Sequence, residues 1–145
     1  MQIKIETLVN ADLTSVKKGF NQDLFLALNP PFPKVKVLQF DGCRKGDTVS
    51  LKLDFLVFSQ VWASHIIEEE FTDQSWYFVD RGVTLPFFLK SWKHKHLVKK
   101  KGIQSLVIDN INYTTGTVLT DLLMLPVLYL QFLYRKPIYR KHFRF

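Results

Sequence analysis

The sequence predicts an α+β fold: a curved antiparallel sheet of about six or seven strands around a long C-terminal helix, with two short helices after the first strand. Three observations predict it. Period-two alternation of apolar and polar residues recurs along most of the chain up to Tyr113. Helix caps and breakers gather between Asp12 and Pro33. From Val118 to Tyr134 apolar residues fall all round a helical period, so this segment is expected to be covered on most faces.

Taken in order, Ile3, Ile5 and Thr7 face one way and Gln2, Lys4 and Glu6 the other, which is a half-buried first strand. Asp12 or Thr14 caps a first short helix and Asn21 or Asp23 a second, with Gly19 as the break. Asn29-Pro30-Pro31-Phe32-Pro33 stops helix firmly. Lys34–Phe40 is a strand, and Asp41–Asp47 a turn region. Val49, Leu51, Leu53, Phe55 and Val57 alternate with polar residues, the clearest strand of all. Strands follow at Val61–Phe71 and Trp76–Gly82, and Phe88–Val98 and Ile103–Tyr113 form a hairpin across Lys99-Lys100-Lys101-Gly102. Pro126 kinks the last helix or begins its second half, and Pro137 acts likewise further on. The expected core comprises Ile3, Ile5, Leu51, Leu53, Phe55, Trp92, Val107, Ile111, Leu122, Tyr129 and Phe132.

Residues 1–145 read as a single domain. Hydrophobic residues are 47% and charged residues 23%, which argues against disorder. A lone cysteine, Cys43, excludes an internal disulfide and a Cys-rich zinc site. The N-terminus alternates where a secretory signal would show a basic region and an apolar run, so cytoplasm is the expected location. Val118–Tyr134 is the one candidate membrane span. Asp121, Pro126 and Gln131 within it favour a buried helix.

The net charge of +7 biases partners toward anions. Lys99-Lys100-Lys101 and the Arg135–Arg144 cluster lack any accompanying nucleic-acid motif and read as solvated surface. The tail interleaves Tyr139, Phe143 and Phe145 with basic residues. That mixture suits docking on its own domain, with weak contact to an anionic membrane as the alternative. Glu68-Glu69-Glu70 reads as an exposed acidic edge. Signatures of α/β-hydrolases, phosphate-binding loops and zinc proteases are missing, and no cofactor is implied.

The sharpest local pattern is Trp92-Lys93-His94-Lys95-His96-Leu97-Val98. On a strand, Trp92, His94, His96 and Val98 share one face and the two lysines the other. The lysines belong in water, which sends the tryptophan and both histidines inward. Val107, Asp109, Ile111 and Tyr113 share a face on the next strand. Trp76, Phe78, Asp80 and Gly82 do so on the preceding one. Pairing Val98 near Ile103 sets His94 near Val107 and Trp92 near Asp109. A similar register sets Phe78 near Trp92 and Asp80 near Lys90. The result is an apolar wall bearing His94, His96, Asp109 and Asp80. Three readings of it stay open: buried groups satisfying one another, polar anchors for a ligand in an apolar pocket, or a metal pair with Asp109 as third ligand. The bland account of Cys43 is an incidental cysteine, since no spacing ties it to a histidine.

The ordered set of features resembles the START-like (SRPBCC, helix-grip) superfamily, and within it a bacterial ligand-binding subgroup. The resemblance rests on the first strand, the helix pair ending in Asn29-Pro30-Pro31, Gly46-x-x-Val49-x-Leu51, Trp62 with Ile66, and Trp92-x-His94-x-His96. Gly102, Asp109-x-Ile111-x-Tyr113 and Tyr134-Arg135 complete it. Thr114-Thr115-Gly116 departs from relatives that carry proline and glycine there, as do Pro126 and Pro137 in the last helix. The resemblance implies a sheet gripping the helix around an apolar cavity, and binding or transport of a lipid, quinone or polyketide-like compound. Expected ligand contacts are Phe55, Trp76, Phe78, Asp80, Trp92 and His94. His96, Val107, Asp109, Ile111, Tyr113 and Tyr129 complete that expectation. The alternative is a cyclase- or hydratase-type enzyme, with His94 or His96 as general acid or base and Asp109 orienting the ring. Non-catalytic binding is the leading reading, and the oligomeric state is left open.

Overall fold

A computed structural model describes residues 1–144; Phe145, part of the basic tail, lies outside the described residues. Strand β1 (Gln2–Val9) is followed by helices α1 (Leu13–Gly19) and α2 (Gln22–Ala27). Strands β2 (Lys34–Phe40), β3 (Thr48–Asp54), β4 (Ser59–Phe71), β5 (Ser75–Thr84), β6 (Ser91–Lys101) and β7 (Gln104–Thr114) come next, and helices α3 (Val118–Leu133) and α4 (Arg135–His142) end the chain. All seven strands lie in one antiparallel sheet, in the order β1-β7-β6-β5-β4-β3-β2. Neighbours in sequence are neighbours in space except for β1, which crosses to pair with β7.

The caps act where the sequence places them. Asp12 accepts from the Ser15 amide at 2.8 Å and Asn21 from the Leu24 amide at 3.0 Å, each satisfying an orphan donor. Pro126 lies inside α3, which runs through it as one element. Pro137 sits in the first turn of α4, where no intrahelical donor is needed.

Two apolar clusters hold the layers together. One packs α1, α2 and α4 on β5, β6 and β7 through Val16, Leu24, Trp76, Val98, Val107, Tyr139 and Phe143. The other packs α3 on β1, β6 and β7 through Ile3, Ile5, Trp92, Ile111, Leu128 and Phe132. The tail docks as expected: Tyr139 and Phe143 are buried, and Phe20 stacks on Phe143 with ring centres 5.7 Å apart. Gly19 is needed for that docking, since a Cβ there would stand 2.5 Å from the Phe143 ring.

Several expectations are corrected. The β6–β7 tip is Gly102-Ile103, with Lys101 paired to Gln104, so Lys99–Lys101 are strand rather than loop. Gly102 takes a positive φ of 64°, which lets the chain reverse in two residues. The partners therefore shift by four residues: His94 faces Ile111, His96 faces Asp109, and Trp92 faces Tyr113. On the other side Phe78 faces His96 and Asp80 faces His94. An even shift keeps every side chain on its expected face. Phe88–Lys90 precede β6 rather than begin it. Strand β3 stops at Asp54 because Leu56 turns left-handed at φ 79°, leaving Val57 exposed instead of alternating inward.

Within the expected core, Ile3, Ile5, Leu53, Trp92, Val107, Ile111 and Phe132 are buried. Leu51 and Phe55 are half-buried because they face a cavity. Leu122 and Tyr129 are 52% and 44% exposed. The sheet covers only one side of α3, so the expectation of cover on most faces fails. Leu119, Leu123 and Leu130 stand 62–69% exposed on its outer side.

Candidate functional site

The curl of the sheet leaves a cavity of about 640 Å³ between α2, the strands β2–β6 and α3. That volume lies within the roughly 300–1,000 Å³ of small-molecule sites. Its walls are built from alternating strand positions: Val49, Leu51 and Leu53 from β3, Trp62, Ser64 and Ile66 from β4, and Phe78 and Asp80 from β5. Helix α3 contributes Met124, Leu128 and Gln131, and Arg135 follows in α4. Aromatic rings crowd one region. Phe55 stacks on Phe58 with centres 5.0 Å apart and meets Phe32 and Phe88 edge-on at 6.1 and 6.0 Å. Trp62 meets Trp92 edge-on at 4.7 Å.

The polar end of this apolar cavity is a quartet of two imidazoles and two carboxylates. His94 and His96, two apart on β6, overlap with ring centres 3.6 Å apart. His94 Nε2 donates to Asp109 Oδ1 at 2.8 Å, while its Nδ1 lies 3.6 Å from Asp80 Oδ2. His96 Nε2 donates to Asp80 Oδ2 at 2.8 Å, and its Nδ1 lies 3.7 Å from Asp109 Oδ1. Each ring is thus suspended between the same two carboxylates. Trp92 Nε1 donates to Asp80 Oδ1 at 3.2 Å and the Tyr139 hydroxyl to Asp109 Oδ1 at 3.4 Å. Phe78 stacks on His96 at 4.2 Å.

Burial is the largest influence and works against ionising both aspartates, but their hydrogen bonds and the neighbouring positive charge together outweigh it and hold both carboxyls below the usual range. Burial and then the neighbouring His94 push His96 down to about 4, so it is a neutral ring at pH 7. Burial, with Asp109 adding, raises the Tyr139 hydroxyl, which stays protonated and donates.

Of the residues singled out from sequence, Phe55, Phe78, Asp80, Trp92, His94 and His96 line the cavity. Asp109 sits behind the two histidines. Trp76 is buried against Phe20 and Phe78, beneath the wall rather than in it. Val107, Ile111 and Tyr113 are covered by the C-terminal helices; Tyr113 donates its hydroxyl to the Asp121 carbonyl at 2.7 Å. Tyr129 lies about 100° round the helix from Leu128, outside the cavity-facing stripe. Sequence reasoning missed Met124, Leu128, Gln131 and Arg135. Their spacing of four, three and four is a helical stripe, masked because its neighbours are equally apolar.

Cys43 also lines the cavity, its thiol 3.7 Å from the Phe20 carbonyl. Burial pushes the thiol up to about 12. At pH 8 only about one molecule in ten thousand then carries the thiolate. We expect Cys43 to resist a disulfide reagent at pH 8 that labels the urea-unfolded chain within minutes. Equal rates in the two states would mean that the wall around Cys43 is open.

No protein-family model matches the sequence, and no curated protein matches it either. Solved structures do. A norcoclaurine synthase from Thalictrum flavum matches with TM-score 0.67 and 12% identity over 94% of this chain and 88% of that one. The Zhui aromatase/cyclase from Streptomyces sp. R1128 matches with TM-score 0.62 and 13% identity over 95% and 90%. A hypothetical protein from Helicobacter pylori matches with TM-score 0.70 and 12% identity over 99% and 88%. The strand order, the helix pair after β1 and the helix laid across the sheet are those of the helix-grip fold, which the chain shares with these structures.

Proposed function

We propose that the protein binds or carries a hydrophobic small molecule, of lipid, quinone or polyketide-like kind, with its one polar group turned toward Asp80, His94 and His96. The observation that carries this reading is a mainly apolar cavity of about 640 Å³ whose wall carries the Asp80, His94 and His96 cluster. Such a site takes its affinity from apolar burial and its orientation from a few polar groups. Native mass spectrometry of freshly purified protein is expected to show a reproducible apolar adduct. Ser64→Phe, which places a ring where the cavity now is, is expected to lose the adduct while keeping the fold. Protein that carries no adduct and, after solvent extraction, takes up none of a panel of fatty acids, quinones and polycyclic phenols would overturn the reading.

A second reading is supported by the quartet itself. A neutral imidazole facing an apolar cavity, backed by carboxylates, has the equipment of a general acid or base. His94 or His96 would move the proton and Asp109 would orient the ring, as in a cyclase. Turnover of a candidate polyketide-like substrate that is unchanged in His94→Ala and His96→Ala would remove it.

The place of loading is part of the first reading. Phe32, Leu56, Val57, Phe58 and Phe87 are exposed apolar groups, and several of them adjoin the aromatic region of the cavity. The outer side of α3 is apolar and ends beside the basic α4. We infer that this face rests on an anionic membrane surface while the molecule is exchanged.

A further inference from the structure

We propose that Asp80, His94 and His96 bind a divalent transition-metal ion of zinc type at the polar end of the cavity, with Asp109 as the support behind the two imidazoles. The inference stands whatever apolar molecule fills the rest of the cavity. Each of the three residues offers one donor atom, and these atoms lie within 4.8 Å of one another. Asp80 Oδ2 is 2.8 Å from His96 Nε2 and 3.6 Å from His94 Nδ1. Ligands at zinc–ligand distances near 2.0–2.1 Å stand roughly 3.3 Å apart in a tetrahedral set, so the observed spacings bracket that value. Two imidazoles and one carboxylate leave an open position, which is the ligand count of catalytic rather than structural zinc.

The hydrogen-bond geometry points the same way. Both nitrogens of both rings face a carboxylate, but only one contact of each ring is a short hydrogen bond, at 2.8 Å. His96 Nδ1 is buried with no hydrogen-bond partner, while the ring itself is 11% exposed. A metal ion on the Asp80 side takes the lone pairs of His94 Nδ1 and His96 Nε2. The two protons then belong on His94 Nε2 and His96 Nδ1, the atoms that face Asp109 at 2.8 and 3.7 Å. A carboxylate behind a metal-bound imidazole, as Asp109 is behind His94, is a recurrent arrangement that fixes tautomer and ring orientation. Trp92, holding the other oxygen of Asp80 at 3.2 Å, leaves Oδ2 as the single ligating atom. Reading the sequence alone, Asp109 is the natural third ligand; the four-residue register shift makes it the support and puts Asp80 in its place.

The test is titration of extracted, chelator-treated protein with Zn²⁺ by calorimetry and with Co²⁺ by visible absorption, with no apolar ligand present. One equivalent is expected to bind, with the visible bands of cobalt bound through nitrogen. Asp80→Asn and His96→Gln are expected to abolish it and Asp109→Asn to weaken it about 10–100-fold at unchanged stoichiometry. His65→Ala, remote from the quartet, is expected to bind as the wild type does. In the wild-type protein, Co²⁺ should shift the ring protons of His94 and His96 before those of His65 and His142, which keeps the test independent of whether the variants fold. Absence of a saturable single site, or binding unaltered in folded Asp80→Asn, would overturn the proposal. Retention of the apolar adduct is read separately, so either idea can fail alone.

Discussion

Replacing Asp109 by alanine is expected to cost the fold about 3–5 kcal/mol, the largest effect of any single change at the site. Asp109 is 1% exposed and receives hydrogen bonds from His94 Nε2 and the Tyr139 hydroxyl. Removing it strands two buried donors that water cannot reach, and their desolvation is then uncompensated. It also opens a cavity where β7 meets α4. Against a total stability of about 5–15 kcal/mol for an ordinary domain, that is a substantial fraction. The measurement is urea unfolding followed by tryptophan fluorescence, with the midpoint falling by roughly 2 M at a typical slope. Asp109→Asn keeps the volume and an acceptor oxygen, and should lose much less. A loss below about 1 kcal/mol in the alanine variant would show that the histidine and tyrosine find other partners, and the quartet would not be a coupled unit.

The second large effect concerns α3. The protein is expected to sediment with vesicles rich in anionic lipid at low salt, and Leu123→Asp with Leu130→Asp is expected to reduce the bound fraction at least about tenfold. Leu119, Leu123 and Leu130 lie four and then seven residues apart, on one stripe of the helix, and all are more than half exposed. Each leucine buried in the interface is worth about 1.5–3 kcal/mol, and each basic residue near it about 1 kcal/mol. Not all the basic residues are free to contribute. Lys136 donates to the Glu6 carbonyl at 2.7 Å, and the Arg135 guanidinium lies 4.2 Å over the Phe132 ring, leaving Arg140, Lys141 and Arg144 exposed. Salt should therefore weaken the binding without abolishing it, because apolar insertion is not screened. Protein that stays in the supernatant at low salt would refute the membrane contact. A dimer that dissociates in the same double variant would assign the stripe to a second copy.

The strands were legible because alternation survives in β1, β3, β6 and β7, and it put Trp92, His94, Val98, Val107, Asp109, Ile111 and Tyr113 inside without a structure. Which residues meet was not legible. Alternation fixes a face but is blind to an even slip, and the tip was obscured because Lys99, Lys100 and Lys101 look like a loop while pairing as strand. The slip matters chemically, since the expected register set Asp80 beside Lys90 and Asp109 beside Trp92. The true one sets each carboxylate across from a histidine. The outer face of α3 was misjudged for a different reason. Apolarity all round a helix says that cover is wanted, not that the same chain supplies it.

The crossing of β1 to β7 has a consequence for how the chain assembles. Gln2 pairs with Asn112, so the first strand made finds its partner only after some 110 residues more have been synthesised. At ribosomal rates of about 5–20 residues per second, that is a wait of roughly 6–20 s. Strands β2 to β6 are successive hairpins and can zip up as they emerge, whereas β1 cannot. Val9, Leu13, Val16 and Leu24, buried in the finished domain, stay without their sheet through this interval. The nascent N-terminal segment is thus the stretch on which a holding chaperone would act, and a permuted chain that begins at β2 and carries β1 after β7 would not have to wait.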